Sequence, residues 1–336
     1  MVIEFFIDIV ILGFLVATAL SIACSNNLLA SVMLTGIYSL LSAVFFVVMD
    51  AVDVAFTEAS VGAGISTILM LSTLKLTGGF DGPTRHNKLL ASIVVTITGI
   101  MLVIGTTDMP KFGASDVPVQ THVGPHFINE SYGETGMPNI VTSVLASYRG
   151  FDTFGETVVI FTAGIGVLAL LGFRNRRTDA FESVTAPMYQ HKILRVVGKF
   201  LISPILIFAL YVQFHGDYGP GGGFQAGVIF AAAIILYSML YGLGRARKVI
   251  NQSIVQILAA LGVLLYGSVG VVSILNGKNF LDYSALAHDA LHGQHYGILL
   301  VELGVGITVT AVMVSIFFTF AGRVDRDVSE QAENQV

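Results

Sequence analysis

Six ionisable side chains, Asp53, Glu58, Asp152, Glu156, Lys199 and Glu302, stand in or at the ends of stretches otherwise apolar enough to cross a membrane. A charge near a bilayer centre costs about 2.5 kcal/mol or more on insertion scales, so such groups are kept for ion passage or for bonding a neighbouring helix. A carboxylate sheltered from bulk water yet reachable by a small ion can exchange a proton for a cation. At a rise of 1.5 Å per residue, Glu58 lies about 9 Å below the start of its helix, too deep for its side chain to reach water easily. Gly62 and Gly64 follow it, and their size lets another helix pack closely beside the carboxylate. Asp53 and Glu58 are therefore read as lining an ion path, with helix bonding as the alternative. Asp152 and Glu156 are four residues apart, share one helical face and have Arg149 nearby. That pair suits either a cation path or a solvated helix start whose acids favour the positive dipole end. Glu302 stands among Leu303, Gly304, Val305 and Gly306. Lys199 precedes Ser203 and Pro204, where a kink could make room for a polar partner, although a long lysine also snorkels to the surface. Transient Na⁺ binding is expected near Glu58 and Glu156, and no fixed metal site is.

A second group lies between the apolar stretches. His215, Asp217, His288, Asp289 and His292 suit a vestibule or proton relay, because histidine titrates near neutral pH, or ordinary loop structure. Glu4 and Asp8 read as anchors of the first helix. The glycine-rich segment from Gly216 to Gly227 has the spacing of a nucleotide loop but joins two apolar helices instead of following a strand, so it reads as a tight external turn. The single cysteine, Cys24, excludes an internal disulfide and any cysteine-ligated zinc or iron–sulfur centre within the chain. No cofactor is expected, and electron transfer would belong to partners. Catalytic triads, phosphate loops and a basic aromatic face are absent from the sequence, which argues against a hydrolase and against nucleic acid as a partner.

The elements that position these groups follow from composition. Of 336 residues 54% are hydrophobic and 12% charged. About nine apolar runs are long enough to span a bilayer as helices, the form in which every backbone N–H and C=O is bonded within its own segment. The expected fold is all-α and polytopic, with the amino terminus outside and the carboxy terminus cytoplasmic. That orientation places fourteen of the seventeen Lys and Arg residues on the inner side. The stretch 106–150 reads as a long external loop. The polar, Arg-rich stretch 174–191 divides a five-helix module, 1–178, from a four-helix module, 179–322, and a flexible cytoplasmic tail follows over 323–336. The first run lacks a cleavage site and is kept as a helix, not a removable signal.

At these motifs the chain resembles the Mrp-type multisubunit Na⁺/H⁺ antiporters, relatives of membrane-bound hydrogenases. Residues 50–75, with Glu58, resemble the first part of the module at the carboxy-terminal end of the large A-type component. Residues 138–171, with Asp152 and Glu156, resemble its second part. Residues 203–242, with the glycine-rich segment, resemble the B-type component, and a later helix of that component matches Glu302 to Gly306. The resemblance implies that Glu58, Asp152 and Glu156 correspond to acids suspected in ion passage. It also implies a fusion of two component types, and a prokaryotic inner-membrane complex that carries Na⁺ and H⁺ with other membrane subunits. The large amino-terminal antiporter part of the A-type component has no counterpart in these residues, so pumping helices are expected in a companion chain. A structural adaptor, and a member of a hydrogenase-like redox complex, are the alternatives.

Overall fold

A computed structural model describes residues 2–77, 88–111, 113–171 and 191–333. The polar division with Arg174, Arg176 and Arg177, the loop residue Arg85 and the last three residues lie outside the described residues. Helices α1 (Val2–Cys24), α2 (Leu28–Val48) and α3 (Val52–Glu58) come first, and α3 continues through a π-helical stretch, Ala59–Ser66, into α4 (Thr67–Thr77). Then come α5 (Lys88–Thr107), a π turn, α6 (Gly124–Thr135), the single turn α7 (Ile140–Thr142), a π segment (Ser143–Tyr148) and α8 (Gly150–Leu171). The remainder comprises α9 (Lys192–His215), α10 (Gly223–Tyr241), α11 (Leu243–Val249), α12 (Gln252–Leu275), a short 3₁₀ turn (Tyr283–Leu286) and α13 (Ala290–Glu333). No strand occurs among the described residues, and nine of the helical segments are long and apolar enough to cross a membrane.

Three differences from the sequence reading matter. The stretch 106–150 is largely helical, because Pro125 starts α6, left-handed Gly136 (φ 74°) ends it, and Asn139 caps α7 through Val141 N–H. Helix α13 begins at Ala290 and reaches Glu333, into the stretch read as a tail. Helix α9 runs through Pro204 without a break.

Lipid tails are as apolar as leucine, so helices associate in a membrane through close packing and polar contacts. The sequence supplies small residues where α10, α12 and α13 meet. A Cβ on Gly223 would lie 1.9 Å from the carbonyl oxygen of Glu302, and one on Gly262 would lie 2.5 Å from that of Gly304. These helices form the core, with Val228, Ile235, Val309 and Phe318 buried between them. Helix α5 is the opposite case, and none of its described residues is buried.

Candidate functional site

Helix α9 ends at His215, and the chain turns through Gly216–Gly222 before α10 starts. Gly222 adopts φ 125°, open essentially to glycine alone, and its N–H donates to the carbonyl of Val212 at 3.1 Å. The turn rests directly on α13. The Glu302 carboxylate lies beneath it, with Oε1 3.1 Å from the position a Cβ would take on Gly222 and 3.3 Å from that on Gly216. Glu302 is twelve residues beyond Ala290, or about 18 Å along the helix.

Helix α3 closes the other side. Gly221 N–H donates to Asp53 Oδ1 at 3.3 Å, and Gln225 Nε2 donates to Thr57 Oγ1 at 2.9 Å. Above, Asp217 Oδ2 meets His295 Nδ1 at 3.2 Å, with only 13% of the Asp217 side chain exposed. Burial pushes the Asp217 carboxyl up from its ordinary range, and His295 beside it draws it partly back. Glu302 feels the charges of both Asp217 and Asp53. Three carboxylates from three elements, the turn among them, thus share one polar cluster.

The segment 135–150 braces this cluster. The Asn139 side-chain amide donates to the carbonyls of Gly216 (3.1 Å) and Gly219 (3.0 Å), and the Thr142 hydroxyl donates to Gly216 O at 2.6 Å. Two fully buried tyrosines bind the same segment from behind. Tyr266 donates to Gly150 O at 2.7 Å and Tyr283 to Ala146 O at 2.8 Å. Burial pushes the Tyr283 phenol up, so it remains a donor across the physiological range. Tyr266 lies within electrostatic reach of both Glu156 and Glu302.

The other residues singled out from the sequence lie apart. Glu58 is half-buried, and its Oε1 lies 2.6 Å from where a Cβ on Gly62 would stand, with Ser39 of α2 packed at the same spot. The π-helical stretch begins at the next residue, a local widening found often at functional sites. Asp152 is exposed and paired with Arg149 at 2.6 Å. Glu156 and Lys199 are exposed on the surface of the chain. His215 is stacked on Tyr211 with centroids 4.7 Å apart. Asp289 and His292 form an exposed pair at 2.6 Å, and His288 is exposed beside them. Among the described residues no three His, Cys, Asp or Glu side chains are arranged to hold a metal ion.

Sequence reasoning did not single out Asn139, Thr142, Thr57, Gln225, Tyr266 or Tyr283. A signal existed for Asn139, since Pro138-Asn139 before an apolar run marks a helix cap. Tyr266, within a long apolar run, carries a hydroxyl that must find a partner once buried.

A family model described as a domain related to the MnhB subunit of Na⁺/H⁺ antiporters matches residues 193–315. Two further models, MbhD and MbhE of the MBH group, match 13–79 and 94–191. A probable K⁺/H⁺ antiporter A/B protein of Rhizobium meliloti is 26% identical over 308 residues, which cover 80% of this chain and 30% of that protein. The putative antiporter protein mnhB2 of Staphylococcus haemolyticus is 32% identical over 133 residues, covering 39% of this chain and 94% of its own length. A solved Mrp complex from Dietzia sp. contains a chain similar over 93% of this one and 34% of itself, at 25% identity and a TM-score of 0.75. A chain of an archaeal membrane-bound sulfane sulfur reductase matches 70% of this chain and 97% of itself at 28% identity, with a TM-score of 0.53. The chain spans 30% and 21% of the first two curated relatives it matches.

Proposed function

From the premise that this chain belongs to the family of MnhB-related Na⁺/H⁺ antiporter subunits, we propose that it forms part of a cation and proton path within a multisubunit antiporter complex. The observation that carries this reading is the gathering of Asp53, Asp217 and Glu302 around one glycine turn, where two of the three carboxylates stand on membrane-spanning helices. Such a group holds either a proton or a small cation, because like charges this close disfavour full ionisation without a counter-ion. The pair Asp217–His295 stands above Glu302 on the side where His292 and Asp289 are exposed, and forms its entrance.

The reading extends to the rest of the chain. Residues 1–178 act as the A-type module and 179–322 as the B-type module, followed by the tail. The amino terminus lies outside and the carboxy terminus in the cytoplasm of a prokaryotic inner membrane. Glu58 lines the route beside the π-helical stretch, while Asp152, Glu156 and Lys199 face companion subunits, among them a large antiporter-type one. Antiport, without redox chemistry in this chain, is the activity this supports, since relatives similar to it in sequence bear antiporter names.

The test is Glu302→Gln in the intact complex, with ΔpH-linked Na⁺ and K⁺ flux measured in inverted vesicles. At least a tenfold loss per assembled complex is expected, on the order of 1.4 kcal/mol. Wild-type flux in a fully assembled mutant removes Glu302 from the path. A fall in complex yield with unchanged flux per complex assigns the chain a structural role instead.

A further inference from the structure

Nothing in the family resemblance singles out Asn139, yet it has the most consequential set of polar contacts around the glycine turn. We infer that Asn139 is a positioning residue for the ion path: it fixes the orientation of the 216–222 peptides and thereby aims the Gly221 N–H at Asp53 and seats the turn over Glu302. The inference rests on the path reading above.

Every polar group of the Asn139 side chain is engaged. Its Oδ1 accepts from Val141 N–H at 3.0 Å, which starts α7. Its Nδ2 donates to both Gly216 O and Gly219 O, and its backbone N–H donates to Asp217 O at 3.1 Å. Three carbonyl positions of the turn, 216, 217 and 219, are thus drawn toward one residue of the other module.

With the carbonyls of Gly216, Asp217 and Gly219 held by Asn139 and the ring of Pro220 fixing the backbone that follows, the next peptide offers Gly221 N–H to the Asp53 carboxylate. The run 216–222, with four glycines among its seven residues, has little intrinsic preference for one conformation, so external hydrogen bonds must select it. The turn is closed on the α13 side, where a Cβ on Gly223 would already overlap Glu302 O. Asn139 also lies beside the Asp53 carboxyl itself. One side chain from the A-type module therefore sets the geometry of an acid on α3 and of the turn covering an acid on α13.

The test separates capping from clamping. Asn139→Ser keeps an N-cap oxygen for α7 but loses both amide donors to the turn, whereas Asn139→Ala loses both functions. In the full complex, Asn139→Ser is expected to assemble normally and to raise the half-saturating Na⁺ concentration for antiport about tenfold, as loss of an outer-shell partner does at ion sites. Adding Asn139→Ser to Asp53→Asn should then add little further effect, because both act through the same contact. Normal half-saturation in Asn139→Ser, with or without a loss of yield, overturns the positioning role. So does strict additivity with Asp53→Asn. If Glu302→Gln itself leaves flux intact, the path reading fails first, which distinguishes the two failures.

Discussion

Helices α10 and α13 on one side and α5 on the other are all strongly apolar, and the chain treats them in opposite ways. More than half of the residues in the apolar windows of α10 and α13 are buried within this chain, whereas none is in α5. The difference lies in where the small residues fall. Gly223, Gly227, Gly262, Gly304 and Gly306 stand at contacts closer than any side chain allows, while a Cβ on Gly99 of α5 would meet nothing within 4 Å. Close approach of backbones is what lets Glu302 sit beneath the glycine turn, so the packed half builds the site and the open half offers surface to lipid or to other subunits.

That contrast can be broken most severely at Gly223. Gly223→Ala places a methyl group against a backbone carbonyl that cannot move without displacing α13, and the expected loss is about 3 kcal/mol or more. It would be read as collapse of intact complex on size-exclusion chromatography, and a stable, active Gly223→Ala complex would show that the helices are less tightly joined. Next in size is Tyr266→Phe, which removes the hydroxyl that donates to the buried Gly150 carbonyl at a cost of about 0.5–1.5 kcal/mol, measurable as a lowered thermal midpoint of the complex. Gly99→Ala should change stability by less than about 1 kcal/mol on the same readout, since alanine favours helix and its methyl group meets nothing within 4 Å among the described residues. A large loss there would place a tightly packed partner helix on α5.

The smallest effect concerns pH. Burial raises the Asp217 carboxyl in the folded protein above its unfolded range, so its favourable contribution is full below the unfolded value and is lost as pH rises through the folded one. Asp217→Asn does not titrate there. The thermal midpoint of the mutant relative to wild type should therefore rise with pH from about pH 4 upward. A difference that stays flat over that range would mean that burial of Asp217 is offset by His295.

The helices, and the acids within them, were legible because membrane spans announce themselves by length and apolarity and because an ionisable group in such a span is conspicuous. Asp53 and Glu302 were found in this way. Their meeting was not legible, since it depends on a turn folding back across residues far apart in sequence, and the neutral groups that hold it, Asn139, Thr142 and Gln225, carry no charge to mark them. Glu58 and Glu156 illustrate the converse. The same reasoning singled them out, yet the fold sets Glu58 against α2 and Glu156 on an exposed face, because depth along a helix says nothing about direction around it. The π-helical stretch after Glu58 was likewise hidden, although Gly62 and Gly64 mark where the helix is easiest to widen.

The central claim is that the Glu302 carboxyl exchanges its proton for a cation. Infrared difference spectroscopy on the purified complex, with and without Na⁺ and K⁺, reads this directly. A protonated-carboxyl band should disappear on adding the transported cation in the wild type and be missing from both spectra of Glu302→Gln. The same cation-induced band change in wild type and mutant would contradict it.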